Sequence, residues 1–357
     1  CFVSLSALKS NLDKSLDIFA DVVLNPSFPE TEIERLKNER YSQIKREKSS
    51  PTQMAIRVLP QFIYGANHPY GQPLTGSGFE ETVKQMTRED FIKFHQSYFK
   101  PNNATLIVVG DISMDELKPK MEKLFANWEK GNVPGNDVPK VEHNKKPVVY
   151  IMDKPGSPQS VVIAGHVAPQ RNYEKFIELD AMNYILGGTF TSRINMNLRE
   201  DKGWSYGSSS MFFTTKGQMP FLVFAFVQGD KTKEAIQEIY REIAEFTTTK
   251  PATDEEIGKC ILNKTLELPG SWETNDAVTN SISEIVNYDL KDNYFDTYVK
   301  RIKSINSSEI SEVAKEVLFP DKLVWVVVGD KAAIYNPLKE LGYEIKVIDT
   351  DGKIITE

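Results

Sequence analysis

Cysteine is nearly missing from this chain, with Cys1 and Cys260 alone in 357 residues. Two thiols are too few for a disulfide framework or a thiolate metal cluster, although a single bridge is allowed and the redox compartment stays open. Histidine is scarce as well: His68, His95, His143 and His166 are the full set, and no two lie within five residues of each other. The paired-imidazole motifs H-E-x-x-H and H-x-x-E-H need two histidines one helical turn apart, so neither is present. His95 falls among Phe91, Phe94 and Tyr98 as a packed helix residue, and His68, His143 and His166 read as structural or loop residues. Positive charge is in deficit, with Lys plus Arg at 43 against Asp plus Glu at 50, a net charge of −7 and a pI near 5.4. Such a chain offers no general attraction to nucleic acid or anionic lipid. No apolar run approaches the roughly 18 to 20 residues of a membrane span; the longest are strand-sized, such as Leu323 to Val328. No G-x-S-x-G elbow and no G-K-S/T phosphate loop exist, and Gly76-Ser77-Gly78 lacks the third glycine of a dinucleotide loop. Cys260 falls at an inward helix position beside Ile257 and Ile261, a packing role rather than a nucleophile's.

What is there is ordinary globular composition, 40% hydrophobic and 26% charged, with a length that predicts two domains. The chain starts at Cys1 inside a strand-like alternation, Phe2-Val3-Ser4-Leu5, so an upstream segment is expected to have been removed. Helical three and four spacing predicts helices over 13–24 and 30–48, with Asn25-Pro26 ending the first and Pro29 opening the second. Thr87-Arg88-Glu89-Asp90 has the form of a helix start before a stripe of Phe91, Phe94 and Tyr98, and 114–128 forms a further amphipathic helix. Ala104 to Val109 is expected to be a buried strand. Residues 131–147, with three prolines, two glycines and no helical stripe, read as a linker between a first domain, 1–130, truncated at its N-terminus, and a second, 148–357. In the second, strands are expected at 148–152 and 160–164, helices near 176–186 and 191–199, an antiparallel pair at 206–214 and 220–228, and mostly helix thereafter.

The organisation is set by an internal repeat. Asn103-Ala104-Thr105-Leu106-Ile107-Val108-Val109-Gly110-Asp111 returns as Lys322-Leu323-Val324-Trp325-Val326-Val327-Val328-Gly329-Asp330, an offset of 330 − 111 = 219. The helix pair joined by 28–33 has a counterpart around Pro251 to Ile257. A tandem duplication with neighbouring strands predicts an α+β fold: two antiparallel sheets, each with helices packed on it.

One stretch carries more than structure: Leu186-Gly187-Gly188-Thr189-Phe190-Thr191-Ser192-Arg193-Ile194-Asn195-Met196-Asn197-Leu198-Arg199-Glu200-Asp201-Lys202-Gly203-Trp204-Ser205-Tyr206-Gly207. It resembles the second-domain signature of the pitrilysin/insulinase family of zinc metallopeptidases, which includes the mitochondrial processing peptidase. Asn25-Pro26-Ser27-Phe28, His68-Pro69-Tyr70-Gly71, Tyr98 to Thr105 and both Val-Gly-Asp turns extend the likeness over nearly the whole chain. The resemblance implies a clamshell half of two homologous domains that closes with a second half around an extended peptide. One half supplies H-x-x-E-H and a downstream Glu, which hold zinc and activate water. The other supplies an Arg and a Tyr seven residues apart that contact the substrate carbonyl. Arg199 and Tyr206 match that pair, and a guanidinium and a phenol are both donors suited to developing negative charge.

The departures point the same way. Zinc-binding relatives carry two glutamates seven apart on the helix after the Pro-Ser-Phe turn, and alignment on Glu32-Ile33-Glu34-Arg35 puts Leu36 and Gln43 there. The chain therefore reads as the non-zinc, substrate-binding half of a metalloendopeptidase, with no cofactor of its own and zinc expected in a homologous partner half or subunit. Its other partner is an extended peptide, which the exposed edge strand of the second domain could hold by β-addition. Two alternatives remain open at this point: a purely structural or binding subunit of the same fold, and a complete zinc peptidase whose H-x-x-E-H precedes residue 1. Analogy with exported bacterial members gives an envelope or secreted location as the expectation.

Overall fold

A computed structural model describes residues 1–135 and 137–355. They form two compact units whose segments alternate along the chain: Cys1–Ser42, Phe79–Asp137 and Pro269–Val286 in one, and Gln43–Gly78, Val138–Leu268 and Asn287–Glu357 in the other. Residues 43–78, which sequence order assigns to the first domain, thus belong to the same unit as 148–268.

The helices are α1 (Leu12–Leu24), α2 (Glu30–Glu47), α3 (Pro51–Tyr64), α4 (Glu80–Gln85), α5 (Arg88–Tyr98), α6 (Met114–Leu124), α7 (Phe176–Asn183), α8 (Arg193–Asn195), α9 (Thr232–Thr247), α10 (Asp254–Leu266), α11 (Asn275–Tyr288), α12 (Tyr294–Ser304), α13 (Ser307–Val317) and α14 (Lys331–Lys339). The strands are β1 (Val148–Asp153), β2 (Gln159–Ala168), β3 (Ser205–Phe212), β4 (Met219–Gln228), β5 (Val324–Gly329) and β6 (Glu344–Ile348).

In the first unit α1 buries Leu16, Ala20 and Val23, one side of its apolar spacing. The turn into α2 puts Phe28 at φ 46°, a left-handed conformation unusual for a bulky residue. Arg88 holds it, donating to the carbonyls of Ser27 and Phe28. The predicted start of α5 is present: the Asp90 carboxylate accepts from both the amide and the hydroxyl of Thr87. The expected strand at 104–109 is not. The segment has no ladder partner among the described residues, and Leu106 and Val108 are 51% and 43% exposed. β-branched spacing names a strand, but a strand forms only where another supplies the hydrogen bonds.

The second unit is built on one six-stranded sheet in the order β3-β4-β2-β5-β1-β6. β3/β4, β4/β2 and β2/β5 pair antiparallel, whereas β5/β1 and β1/β6 pair parallel, so the α+β architecture holds with a mixed sheet. One face packs on α7, α9, α10, α13 and α14 through a large core around Phe221, Val223, Ile239, Ile310 and Trp325. The opposite face is covered by α3, whose Met54, Ala55, Val58, Leu59 and Ile63 sit on β5 and β2. Pro51 starts α3 at a position where the missing amide costs nothing. Its cover does not extend to the β3 end, where Tyr206, Met211 and Phe213 stand exposed.

Candidate functional site

The candidate pair lies around the β3 end of the second unit. α7 runs into a π-helical segment, Tyr184–Gly188, and α8 into another, Met196–Asp201; such i→i+5 widenings are uncommon and often mark functional sites. The second one sets Arg199. Its backbone closes through Lys202 N–H on the Asn197 carbonyl and Gly203 N–H on that of Arg199, and Gly203 takes φ 66° to end the helix. Ile194 and Leu198 anchor the turn in the core, and the Asn197 amide donates to Glu238 and Glu242. Arg199 therefore projects outward from a fixed base. Its guanidinium lies 4.5 Å from the ring centre of Phe190 and its Nε is 3.4 Å from Glu200.

Tyr206 sits in a β-bulge. Ser205 pairs with Val227 and Ser208 with Ala225, so Tyr206 and Gly207 together oppose Phe226. The bulge is held by Ser205, whose hydroxyl accepts from Gly207 N–H and donates to the Gly207 carbonyl. Ser205 and Ser208 turn inward, and Tyr206 is left 82% exposed with its hydroxyl free of hydrogen bonds among the described residues. No hydrogen bond, ion pair or ring contact joins Arg199 to Tyr206 among those residues. The two donors stand on adjacent, independently braced elements.

Neither outer strand of the sheet offers a bare edge for β-addition along its length. On β3, Ser208 N–H donates to the Asn195 side chain and the Ser210 carbonyl accepts from Asn183. Gly187 packs so closely on Ser210 that an added Cβ would lie 2.5 Å from its amide nitrogen. β6 is closed at its end by Ile355 N–H on the Val347 carbonyl, and elsewhere carries Glu344 and Lys346, charges that discourage pairing. The accessible surface here is the sheet's face.

The positions aligned with the zinc-ligand helix do not fit a metal. Leu36 is 51% exposed and has no ligating atom, and Gln43 offers only a neutral amide, its nitrogen donating to Glu47 at 2.8 Å. Glu47 belongs to a buried cluster with Arg57 and Ser77, and hydrogen bonds from these groups hold its carboxyl below the usual range against the opposing effect of burial. The histidines hold structure. His68 accepts Tyr70 N–H and contacts the Pro139 carbonyl at 2.9 Å, and His95 contacts that of Val23 at 2.8 Å. His166 lies buried in β2, contacts the Val167 carbonyl and accepts Phe319 N–H, with His143 packed edge-on against its ring. Burial pushes His166 down to about 4. Cys260 is buried, and its thiol is pushed up to about 12 by the same cause.

Two parts of this region were not read from the sequence as site features. Phe190, 57% exposed beneath Arg199, lies within the signature stretch, and an aromatic left on a surface turn between glycines and a helix start was its signal. α3 was masked by Pro60 and the Gly/Pro-rich segment after it, although Pro51 followed by apolar residues at 54, 55, 58, 59, 62 and 63 is a helical pattern.

Residues 85–263, half of the chain, match the family model described as the peptidase M16 inactive domain, and residues 2–78 match that of insulinase, peptidase family M16. The chain belongs to the M16 family. An uncharacterized zinc protease of Bacillus subtilis (strain 168), YmxG, is 25% identical over 319 residues, 88% of this chain and 75% of that protein. Among solved structures, a peptidase M16 inactive domain from Pseudomonas fluorescens superposes with a TM-score of 0.82 at 23% identity, over 92% of this chain and 76% of its own. A protease from Helicobacter pylori gives 0.78 at 21%, over 90% and 77%. These two likenesses show the fold, the half of an M16 peptidase predicted from the signature stretch. Among the described residues no three His, Cys, Asp or Glu are grouped as metal ligands, and no helix is long and apolar enough to cross a membrane.

Proposed function

We propose that this chain is the substrate-binding, non-zinc half of an M16 metalloendopeptidase, closing with a zinc-bearing homologous half around an unstructured peptide. The observation that carries the reading is Tyr206 on the uncovered end of the sheet: a phenol 82% exposed and unpartnered, on a bulge braced by buried serines. A surface tyrosine needs no such bracing, whereas a donor that must meet a reacting carbonyl does. Arg199 is built alike, its charge outward on a π-helical turn with the guanidinium over the Phe190 ring and beside Glu200.

Zinc in the partner half would polarise the carbonyl and its water. The role of this half is to lay the peptide over its face and donate from Tyr206 and Arg199 to a carbonyl oxygen as it gains negative charge. Neither group loses a proton in that role, and closure removes the water that competes for the same oxygen.

The test is Arg199→Ala and Tyr206→Phe in the reconstituted pair. Loss of one such donor lowers kcat by roughly a hundredfold or more, with melting temperature unchanged. Unaltered turnover in both variants would leave this half a binding or structural subunit. Elemental analysis of the chain extended to its natural N-terminus tests the other side: stoichiometric zinc would overturn the assignment to the non-zinc half.

A further inference from the structure

A cavity of about 200 Å³ opens within the second unit, between α3, the 69–76 segment, the middle of β2 and the first half of β4. Its walls are carbon: Ile56, Leu59, Ile63, Leu74, Phe213 and Leu222. The hydroxyls beside it are already engaged. Tyr64 donates to the Gln218 carbonyl, Tyr70 accepts Gly217 N–H, and Thr215 donates to the Gly217 carbonyl. The Tyr70 O–H and the Gln72 amide at its edge are then the polar partners left to a guest, too few to replace the water a charged group would lose. The cavity is also preformed. Pro60, Pro69, Pro73 and Pro220 contribute to its lining, and His68 ties the 69–76 segment down through Tyr70 N–H and the Pro139 carbonyl. A guest pays little for ordering such walls.

The cavity is continuous with the uncovered part of the sheet. Phe213 and Phe224 line it, and both belong to the β3–β4 region that also carries Met211 and Tyr206. From Tyr206 to Phe213 the strand advances seven residues, on the order of 20 Å, which an extended peptide covers with six or seven residues. A carbon-lined cavity of about 150 Å³ holds one benzene ring, so this one accepts a single large side chain such as Phe or Leu.

Resting on the proposed role as the peptide-binding half, we infer that this cavity is an anchor pocket for one large apolar side chain of an extended peptide, six or seven residues from the residue at Tyr206. It gives this half a say in substrate choice at a distance from the bond cut.

Two fluorescein-labelled peptides of 14 residues, made of Gly, Ser, Thr and Lys with a single central Phe or Ala, would be titrated against the chain by anisotropy. The Phe peptide is expected to bind at least tenfold more tightly. Leu74→Trp, which fills the cavity, should bring the Phe-to-Ala ratio close to one, and Phe213→Ala at the half-exposed rim should lower it several-fold should the tryptophan disturb folding. Tyr206→Ala should weaken both peptides equally. A ratio near one in the unaltered chain, or one that survives both cavity variants, overturns the pocket; a loss of both peptides in Tyr206→Ala would still support the wider reading. Failure of both peptides to bind at millimolar concentration overturns the pocket and the wider reading alike.

Discussion

Residues 103–111 and 322–330 are two copies of one segment with opposite fates. The second is β5, every residue of it buried, paired parallel to β1 and antiparallel to β2. The first has no ladder and leaves Leu106 and Val108 in solvent. Their surroundings along the chain are the same to the residue. Thr87 and Asn306 open the preceding helices, and the 3-10 turns Pro101–Asn103 and Pro320–Lys322 follow them, all at an offset of 219. Local sequence therefore repeats its local products, the cap, the helix and the turn, and does not by itself produce the strand. A strand's stability is supplied by its neighbours.

The comparison breaks most sharply at Val327 and its counterpart Val108. Val327→Asp puts a carboxylate into a fully buried position between two strands with nothing to pair it. It is expected to cost more than about 4 kcal/mol and to abolish cooperative unfolding of the second unit in urea. Val108→Asp should shift the same curve by less than about 0.5 kcal/mol, the usual range for a surface substitution. Equal effects would mean that the 104–109 segment is buried in solution. Trp325→Ala and Leu106→Ala repeat the contrast two positions earlier. Removing the fully buried indole should cost about 3–5 kcal/mol, and the half-exposed leucine about 1 kcal/mol, roughly half the transfer cost of its side chain.

pH sharpens the contrast between the units. His166 stands neutral inside the sheet, its value lowered to about 4 by burial, then by the charge His143 would carry; burial lowers His143 too. The unfolded chain takes up the His166 proton near pH 6.5 and the folded chain only near 4, so the stability it contributes is complete above 6.5, falls as the pH drops through this window, and levels off below it; the lowered His143 acts in the same direction. For His166 the loss is about 3 kcal/mol. Urea midpoints at pH 7, 5.5 and 4 should trace this loss, and in His166→Phe the slope should flatten even though that variant starts less stable.

What was legible follows the same division. The α+β class, the duplication, the β3–β4 hairpin and most helix starts were written in caps, turn residues and periodicity, which act over a few residues. The parallel strand β6, the join of residues 43–78 to the second unit and the bare 104–109 segment depend on contacts far apart in sequence. At the site, spacing singled out Arg199 and Tyr206 as residues. The π-helical turn and the bulge that present them are held by Asn197 against Glu238 and Glu242 and by Asn195 against Ser208, contacts that no local pattern announces.

The smallest contrast comes from the two caps, where the copies should agree. Asn306 accepts Glu309 N–H at 3.1 Å while Glu309 accepts Asn306 N–H in return, and Thr87 and Asp90 make the corresponding corner of α5. Asn306→Ala and Thr87→Ala should each cost about 1 kcal/mol, read by amide exchange in the first turns of α13 and α5. Because a cap closes on its own helix, its value does not depend on whether the strand that follows has neighbours. If Thr87→Ala cost nothing while Asn306→Ala cost the expected amount, the helix ahead of the unpaired copy would owe its start to something beyond its cap, and the division between local and long-range products drawn from the two copies would fail at its simplest point.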